Sequence, residues 1–117
     1  MDRQTFLAML AAELPELASQ LDNSDWQGLL HPQVAEFADF AQKAIDAGDR
    51  ATVDRCFHLA DLAASHGDDA VQNAIGVSFV EHLNLRDGKV RRAWAVPLLS
   101  DRLRRVAISL GVIDAQR

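Results

Sequence analysis

HPQVAEFADFAQKAIDAGDRATVDRCFHLADLAASH, residues 31–66, carries two helical patterns in succession, joined at Gly48-Asp49. On a helical wheel Val34, Phe37, Ala38, Phe40, Ala41, Ala44 and Ile45 fill one arc. Glu36, Asp39, Gln42, Lys43 and Asp46 fill the opposite arc, which is the pattern of a helix with one face in a core. His31-Pro32 suits a helix start, because the N–H that proline lacks would be unpaired there anyway. Gly48 is a helix stop and Asp49 a cap for the next helix. From about Arg50 to His66 most positions are apolar, leaving a narrow polar stripe of Asp54, His58, Asp61 and Ser65. A helix of that kind sits centrally, with neighbours on both flanks.

Helical spacing continues on both sides. Upstream, Asp2 can cap a helix whose stripe is Phe6, Leu10, Leu14, Leu17 and Leu21. Pro15 predicts a break near Leu14, since proline removes a hydrogen bond and clashes with the preceding turn. Residues 22–28 read as a loop by composition, with Trp26 packing back onto the core. Downstream, Gly67-Asp68 repeats the stop-and-cap signal, and a helix from about Asp69 to Asn84 carries Val71, Ile75, Phe79 and Leu83 at steps of four. Gly76 in that helix suggests a close helix contact under Phe57 or Phe37, and His82 falls on the apolar arc. Arg86-Asp87-Gly88-Lys89 is a turn, read as a joint between helices because few β-branched residues flank it. Trp94 lies on a short helical stretch, and Pro97 opens a last helix with Leu99, Leu103, Val106 and Leu110, ended by Gly111. Residues 112–117 are expected to fray. The prediction is an all-α single domain over residues 1–117, a bundle of about five to six helices with mostly antiparallel neighbours.

At 117 residues the chain suits one domain, since domains run at roughly 100–150 residues. Composition excludes disorder and a disulfide scaffold, because 49% of residues are apolar and Cys56 stands alone. There is no apolar run long enough for a membrane span, and Met1-Asp2-Arg3-Gln4 does not read as a secretory signal, so the expected setting is cytoplasmic. No Gly-rich phosphate loop, His-Glu-x-x-His or Cys-x-x-Cys occurs. Cys56 and His58, two apart on a helix, point to nearly opposite sides and make no nucleophile–base pair. Asp54, His58 and Asp61 share a face and have the donors for a divalent metal, but a solvated stripe with an ordinary ion pair explains them. His31 can cap a helix start, and His66 suits a helix C-terminus. No enzyme activity, metal or cofactor is expected.

The net charge of −5 is a remainder. Residues 1–85 carry −10 and residues 86–117 carry +5. The basic cluster is Arg86, Lys89, Arg91, Arg92, Arg102, Arg104 and Arg105. Nucleic acid is not the expected partner, since the whole protein is acidic and Trp94 is the only aromatic residue of that region. Salt bridges to the acidic helices account for the cluster. The acids Glu36, Asp39, Asp46, Asp54 and Asp61 lie on consecutive helices, and a shared field there would attract a basic partner.

Val71-Gln72-Asn73-Ala74-Ile75-Gly76-Val77-Ser78-Phe79-Val80-Glu81-His82-Leu83 resembles a motif in small helical immunity proteins of bacterial toxin systems, including contact-dependent growth inhibition. Ala93-Trp94-Ala95-Val96-Pro97-Leu98-Leu99-Ser100 resembles their turn into the last helix, with Ser100-Asp101 where those families have Gly-Pro. Ala47-Gly48-Asp49 and His31-Pro32 resemble their helix junction and helix start. The resemblance covers about residues 31–105. It implies a non-catalytic protein that binds a cognate toxin domain, with no catalytic residues. The expectation is therefore neutralisation of a basic toxin domain, with Glu36, Asp39, Asp46, Asp54 and Asp61 making the contact. A non-catalytic helical adaptor or scaffold module is the alternative, and it would show an exposed apolar groove in place of a charged face.

Overall fold

Gly48 takes a positive φ of 73°, and the turn it makes sets two long helices against each other. Its N–H donates to the Ile45 carbonyl at 3.1 Å, and the Asp49 N–H donates to Ala44 at 2.9 Å. This closure needs a left-handed residue, which glycine adopts without steric cost. The helix before it is Leu30–Ala47 and the helix after it Arg50–His66. Asp49 caps the second by accepting from the Thr52 N–H at 3.2 Å. The structure is a computed structural model and describes residues 1–21 and 30–114, the side chains of 19–21 aside. Among these residues there is no strand, and the fold is the all-α single domain expected. The loop expectation at residues 22–28, with Trp26, lies outside the described residues, as do residues 115–117.

In chain order the α-helices are α1 (Arg3–Glu13), α2 (Pro15–Leu21), α3 (Leu30–Ala47), α4 (Arg50–His66), α5 (Asp69–Ala74) and α6 (Asp101–Ser109). A π-helical segment, Ile75–Val80, extends α5, and a 3-10 segment, Ala93–Leu98, precedes α6. Pro15 separates α1 from α2 as its chemistry requires, while Phe6, Leu10, Leu14 and Leu17 stay fully buried across the break. The Arg55 guanidinium donates to the Glu13 carbonyl and ties α4 to that break.

The core runs through a chain of rings. Phe37 of α3 stacks on Phe79 of the π segment with centroids 4.5 Å apart. Phe6 meets Phe37 edge-on at 6.4 Å, and Phe57 of α4 meets Phe79 edge-on at 6.4 Å. Offset and edge-on pairs of this kind are the favoured geometries for aromatic rings. Val53, Cys56, Phe57, Leu59, Ala60 and Ala63 of α4 are buried, so that helix is central as its composition predicts.

The structure departs from the sequence expectations at several positions. The helix expected to reach Asn84 widens into the π segment and ends near Val80, with the Glu81 N–H donating to Gly76 at 3.1 Å. That widening turns His82 to solvent and keeps Leu83 buried, so His82 is not a core-border residue. Gly76 faces neither Phe57 nor Phe37; an added Cβ would meet Val106 of α6, at 4.0 Å. Pro97 lies inside the 3-10 segment, and the last helix instead starts behind Ser100, whose Oγ accepts from the Leu103 N–H at 3.1 Å. Finally, Val112 and Ile113 do not fray: Gly111 makes the same left-handed closure as Gly48, with Val112 N–H donating to Ala107 at 2.9 Å and Ile113 buried. No helix of the described residues is long and apolar enough to cross a membrane.

Candidate partner-binding surface

The polar stripe of α4 is its solvent-facing side. Asp54, His58 and Asp61 recur at helical spacing on a helix otherwise committed to the core, so they must face whatever solvent that helix meets. They meet it beside the junction of the 3-10 segment and α6. Asp54, Phe57, His58 and Asp61 line a cavity of about 150 Å³ with Leu98 and Ser100. A second open cavity, about 400 Å³, is lined by Arg50, Ala51, Asp54 and Leu98. Asp54 and Leu98 line both.

The acids of this surface are not equivalent. Asp61 is already occupied: Ser100 Oγ donates to its Oδ1 at 2.6 Å, and Arg102 Nε stands 3.8 Å from the same oxygen. Its carboxylate thereby holds the start of α6 against α4. Asp46 is occupied too. Arg92 Nε donates to Asp46 Oδ1 at 2.8 Å, and Gln42 Nε2 donates to it at 2.9 Å. The Arg92 hydrogen bond holds the Asp46 carboxyl below the usual range and raises the Arg92 guanidinium, each partner stabilising the other's charged form. Asp54 and Asp39 are exposed and Glu36 is half-buried, and none of the three has an ion-pair partner among the described residues.

The segment between the π turn and the 3-10 segment explains the division. Gln42 clasps Asn84 on both sides, its Oε1 accepting from the Asn84 N–H at 2.8 Å and its Nε2 donating to the Asn84 carbonyl at 3.1 Å. Asp87 Oδ1 accepts from the Arg92 and Ala93 N–H groups at 2.7 and 2.9 Å, which fixes the start of the 3-10 segment. These backbone bonds, Ala93 first, hold the Asp87 carboxyl low. The basic half of the chain therefore neutralises the acidic half at Asp46 and Asp61. It leaves Glu36 and Asp39 on α3 and Asp54 on α4 unneutralised. The structure groups Asp54 and Asp61 in one recess, and no described cavity joins them to Glu36, Asp39 or Asp46.

Two features escaped the sequence reading. His31, expected as a cap, lies within the first turn of α3 and places Nδ1 2.7 Å from Oγ of the buried Ser78 in the π segment. Gln42 and Asp46 look like solvent-facing polar residues at helical spacing, yet they hold the 84–92 segment. A buried serine in a helix that is otherwise apolar on that face was the available signal for the first. The second had none, because a long-range clasp leaves no local pattern.

No group of three or more His, Cys, Asp or Glu side chains among the described residues is arranged to hold a metal ion, so Asp54, His58 and Asp61 do not form such a cluster. Cys56 is fully buried, and desolvation pushes its thiol up to about 12, which leaves it a neutral core group at physiological pH.

A family model described as a domain of unknown function, DUF7674, matches residues 7–112. No curated protein and no solved structure matches the chain.

Proposed function

We propose that this chain, which belongs to the DUF7674 family, is an immunity protein that binds and neutralises a cognate bacterial toxin domain in the cytoplasm, without catalysis. The observation that carries this reading is that, of the five acids expected to make the contact, Glu36, Asp39 and Asp54 have no ion-pair partner among the described residues. They belong to the half of the chain that carries −10. A basic toxin domain, built for an anionic substrate, is the natural complement of such a surface. Asp46 and Asp61 contribute to the field but are held by Arg92 and by Ser100 with Arg102, so they shape the surface more than they contact a partner. The motif resemblance over about residues 31–105 points the same way.

The adaptor reading would call for a broad apolar docking face. The large apolar side chains most exposed among the described residues are Val77 of the π segment, Val90 of the 84–92 segment and Leu110 at the end of α6, each only 37–44% exposed.

The test is to express the product of the reading frame immediately upstream and, where it carries a toxin domain, to follow its association with this chain by stopped flow at low and high ionic strength. Electrostatic steering predicts an on-rate that falls steeply with salt, because the screening length drops from about 10 Å at 0.1 M to about 3 Å at 1 M. Charge reversal at Asp39 and Asp54 together should slow association and release the toxin's activity. An on-rate indifferent to both salt and charge reversal refutes the acidic surface as the contact. Absence of any binding refutes the immunity reading.

A further inference from the structure

Every Lys and Arg before Arg86, and every one from Arg102 to Arg105, lies within an α-helix. Arg86, Lys89, Arg91 and Arg92 lie between the π segment and the 3-10 segment, where residues 86–91 are all exposed. Exposed loop tips are the preferred sites of proteolytic nicking, whereas a helix has to open before a protease can hold its backbone extended. The bonds that follow these four residues are not equally available. A serine protease draws the carbonyl of the bond it cuts into an oxyanion hole and the side chain before that bond into a specificity pocket. The Arg86 carbonyl accepts from Arg92 Nη1 at 3.4 Å, and the Arg86 guanidinium pairs with Asp114. The Arg91 carbonyl accepts from Trp94 Nε1 at 3.0 Å. The Arg92 carbonyl accepts from the Ala95 N–H at 3.0 Å, and the Arg92 guanidinium is held on Asp46. Lys89 differs: neither its carbonyl nor its ammonium has a hydrogen bond or ion pair among the described residues.

We propose that the Lys89–Val90 bond is a processing site for a trypsin-like endoprotease, one that cuts after Lys or Arg, and that the cut chain stays together as a folded molecule of two pieces. In the cut, water adds across the bond. Its hydroxyl goes to the Lys89 carbonyl carbon, which becomes a carboxylate, and its proton goes to the Val90 nitrogen, which leaves as a new amino terminus. The turn opens easily because a single backbone hydrogen bond closes it among the described residues, from the Gly88 N–H to the Val90 carbonyl at 3.0 Å. Its flanks stay fixed, since Leu85 on one side and Ala95 on the other are buried. The piece 90–117 keeps Ala95, Leu99, Leu103 and Ala107 in the core. It is also tied to the piece 1–89 by Arg92 on Asp46 at 2.8 Å and by Ser100 on Asp61 at 2.6 Å. Cleavage breaks none of these contacts, and it makes the fold an association of two pieces, dependent on concentration. The site uses none of Glu36, Asp39 and Asp54, so it stands or falls separately from the toxin reading.

The experiment is limited digestion of the full chain with trypsin at neutral pH, followed by intact-mass spectrometry and size-exclusion chromatography. The first products expected are 1–89 and 90–117, eluting together at the volume of the uncut chain and separating in urea. Lys89→Gln should lose this early cut while the uncut variant keeps the parent's urea midpoint, and Lys89→Arg should retain the cut. First cleavage after Arg86, Arg91 or Arg92, or after a Lys or Arg inside a helix, overturns the assignment. So does cleavage that appears only once the chain is unfolded, or an early cut at Lys89–Val90 that persists in Lys89→Gln. Elution of the two pieces apart in native buffer overturns the two-piece molecule.

Discussion

Gly67 and Gly76 stand nine positions apart and make opposite demands. A Cβ on Gly67 would come within 2.4 Å of the Ala63 carbonyl and 2.5 Å of Val71 Cγ1, because α4 ends and α5 begins around that one residue. Gly67→Ala should therefore cost on the order of 1–3 kcal/mol, the usual penalty for overpacking, read as a lowered urea midpoint. At Gly76 the nearest group is Val106 Cγ1, 4.0 Å away, in ordinary contact. Gly76→Ala should raise stability by up to about 1 kcal/mol through helix propensity. If both substitutions destabilise equally, close packing is not what distinguishes the two positions. Cys56 is inert for a related reason, close packing. Its burial and raised thiol pKa predict negligible reaction with a disulfide reagent at neutral pH in the native state, and full reaction once the chain is unfolded. The glycine stops at Gly48 and Gly111 are legible from sequence because the requirement is local: a left-handed residue after an apolar-periodic run. The neighbour of Gly76 is not legible, because it comes from α6, some thirty residues away in the chain.

At the scale of elements, every described helix start that carries a side-chain cap uses a residue type that announces itself. Asp2, Asp49, Asp68 and Ser100 accept from the N–H three positions on. Ser100 does more than the others, since the hydroxyl that accepts from Leu103 also donates to Asp61 on α4. Ser100→Ala should cost about 1–2 kcal/mol by chemical denaturation, near the top of the range for a lost cap because a bond between helices goes with it. Ser100→Asp would keep the cap but set a second carboxylate against Asp61, and it should rescue little. The π segment was signalled and misread. Val71, Ile75, Phe79 and Leu83 recur at steps of four. In an α-helix each such step overshoots a turn by about 40°, so three of them drift by about 120°. A stripe that stays buried over that span needs a wider turn, which is what Ile75–Val80 provides.

For the whole molecule, the decisive property is how the two charged halves meet. The summed charges predict attraction, and the structure shows where it is satisfied: Arg92 on Asp46, and Ser100 with Arg102 on Asp61. Which acids would be consumed in this way could not be read from sequence, because pairing depends on how the 84–92 segment is laid along α3. The arrangement has a consequence for acid stability. Asp46 is lowered chiefly by the Arg92 hydrogen bond, Asp2 by the Thr5 N–H, Asp49 by the Thr52 hydroxyl and Asp87 by the Ala93 N–H. A carboxylate whose folded pKa lies below its unfolded value contributes stability above that unfolded value, about 3.9 for Asp. That contribution is lost as pH falls through the folded pKa. The melting temperature should hold from neutral pH to about 5 and then decline, and Asp46→Asn should flatten the decline while lowering the plateau. A variant with the same acid limb as the parent would show that the Asp46–Arg92 pair does not contribute. All-α architecture, by contrast, was legible throughout the described residues, since it rests on periodicity, caps and glycine stops, each a property of a few neighbouring residues.

A wide helical turn is also a surplus residue. Deleting one position from a regular helix swings everything downstream by about 100° and carries core side chains into solvent. Within Ile75–Val80 the opposite holds. Removing the exposed Val77 leaves Val71, Ala74, Ile75, Phe79, Val80 and Leu83 at the spacing of an ordinary α-helix, with Ser78 the only buried residue displaced. The shortened chain should fold with its helical circular dichroism intact and a moderate loss of stability from the missing His31–Ser78 contact. Deletion of Ala60 from α4 should abolish folding. Relatives differing in length by one residue are thus expected to gain or lose it at this turn, the one place along the described helices where the fold can absorb the change.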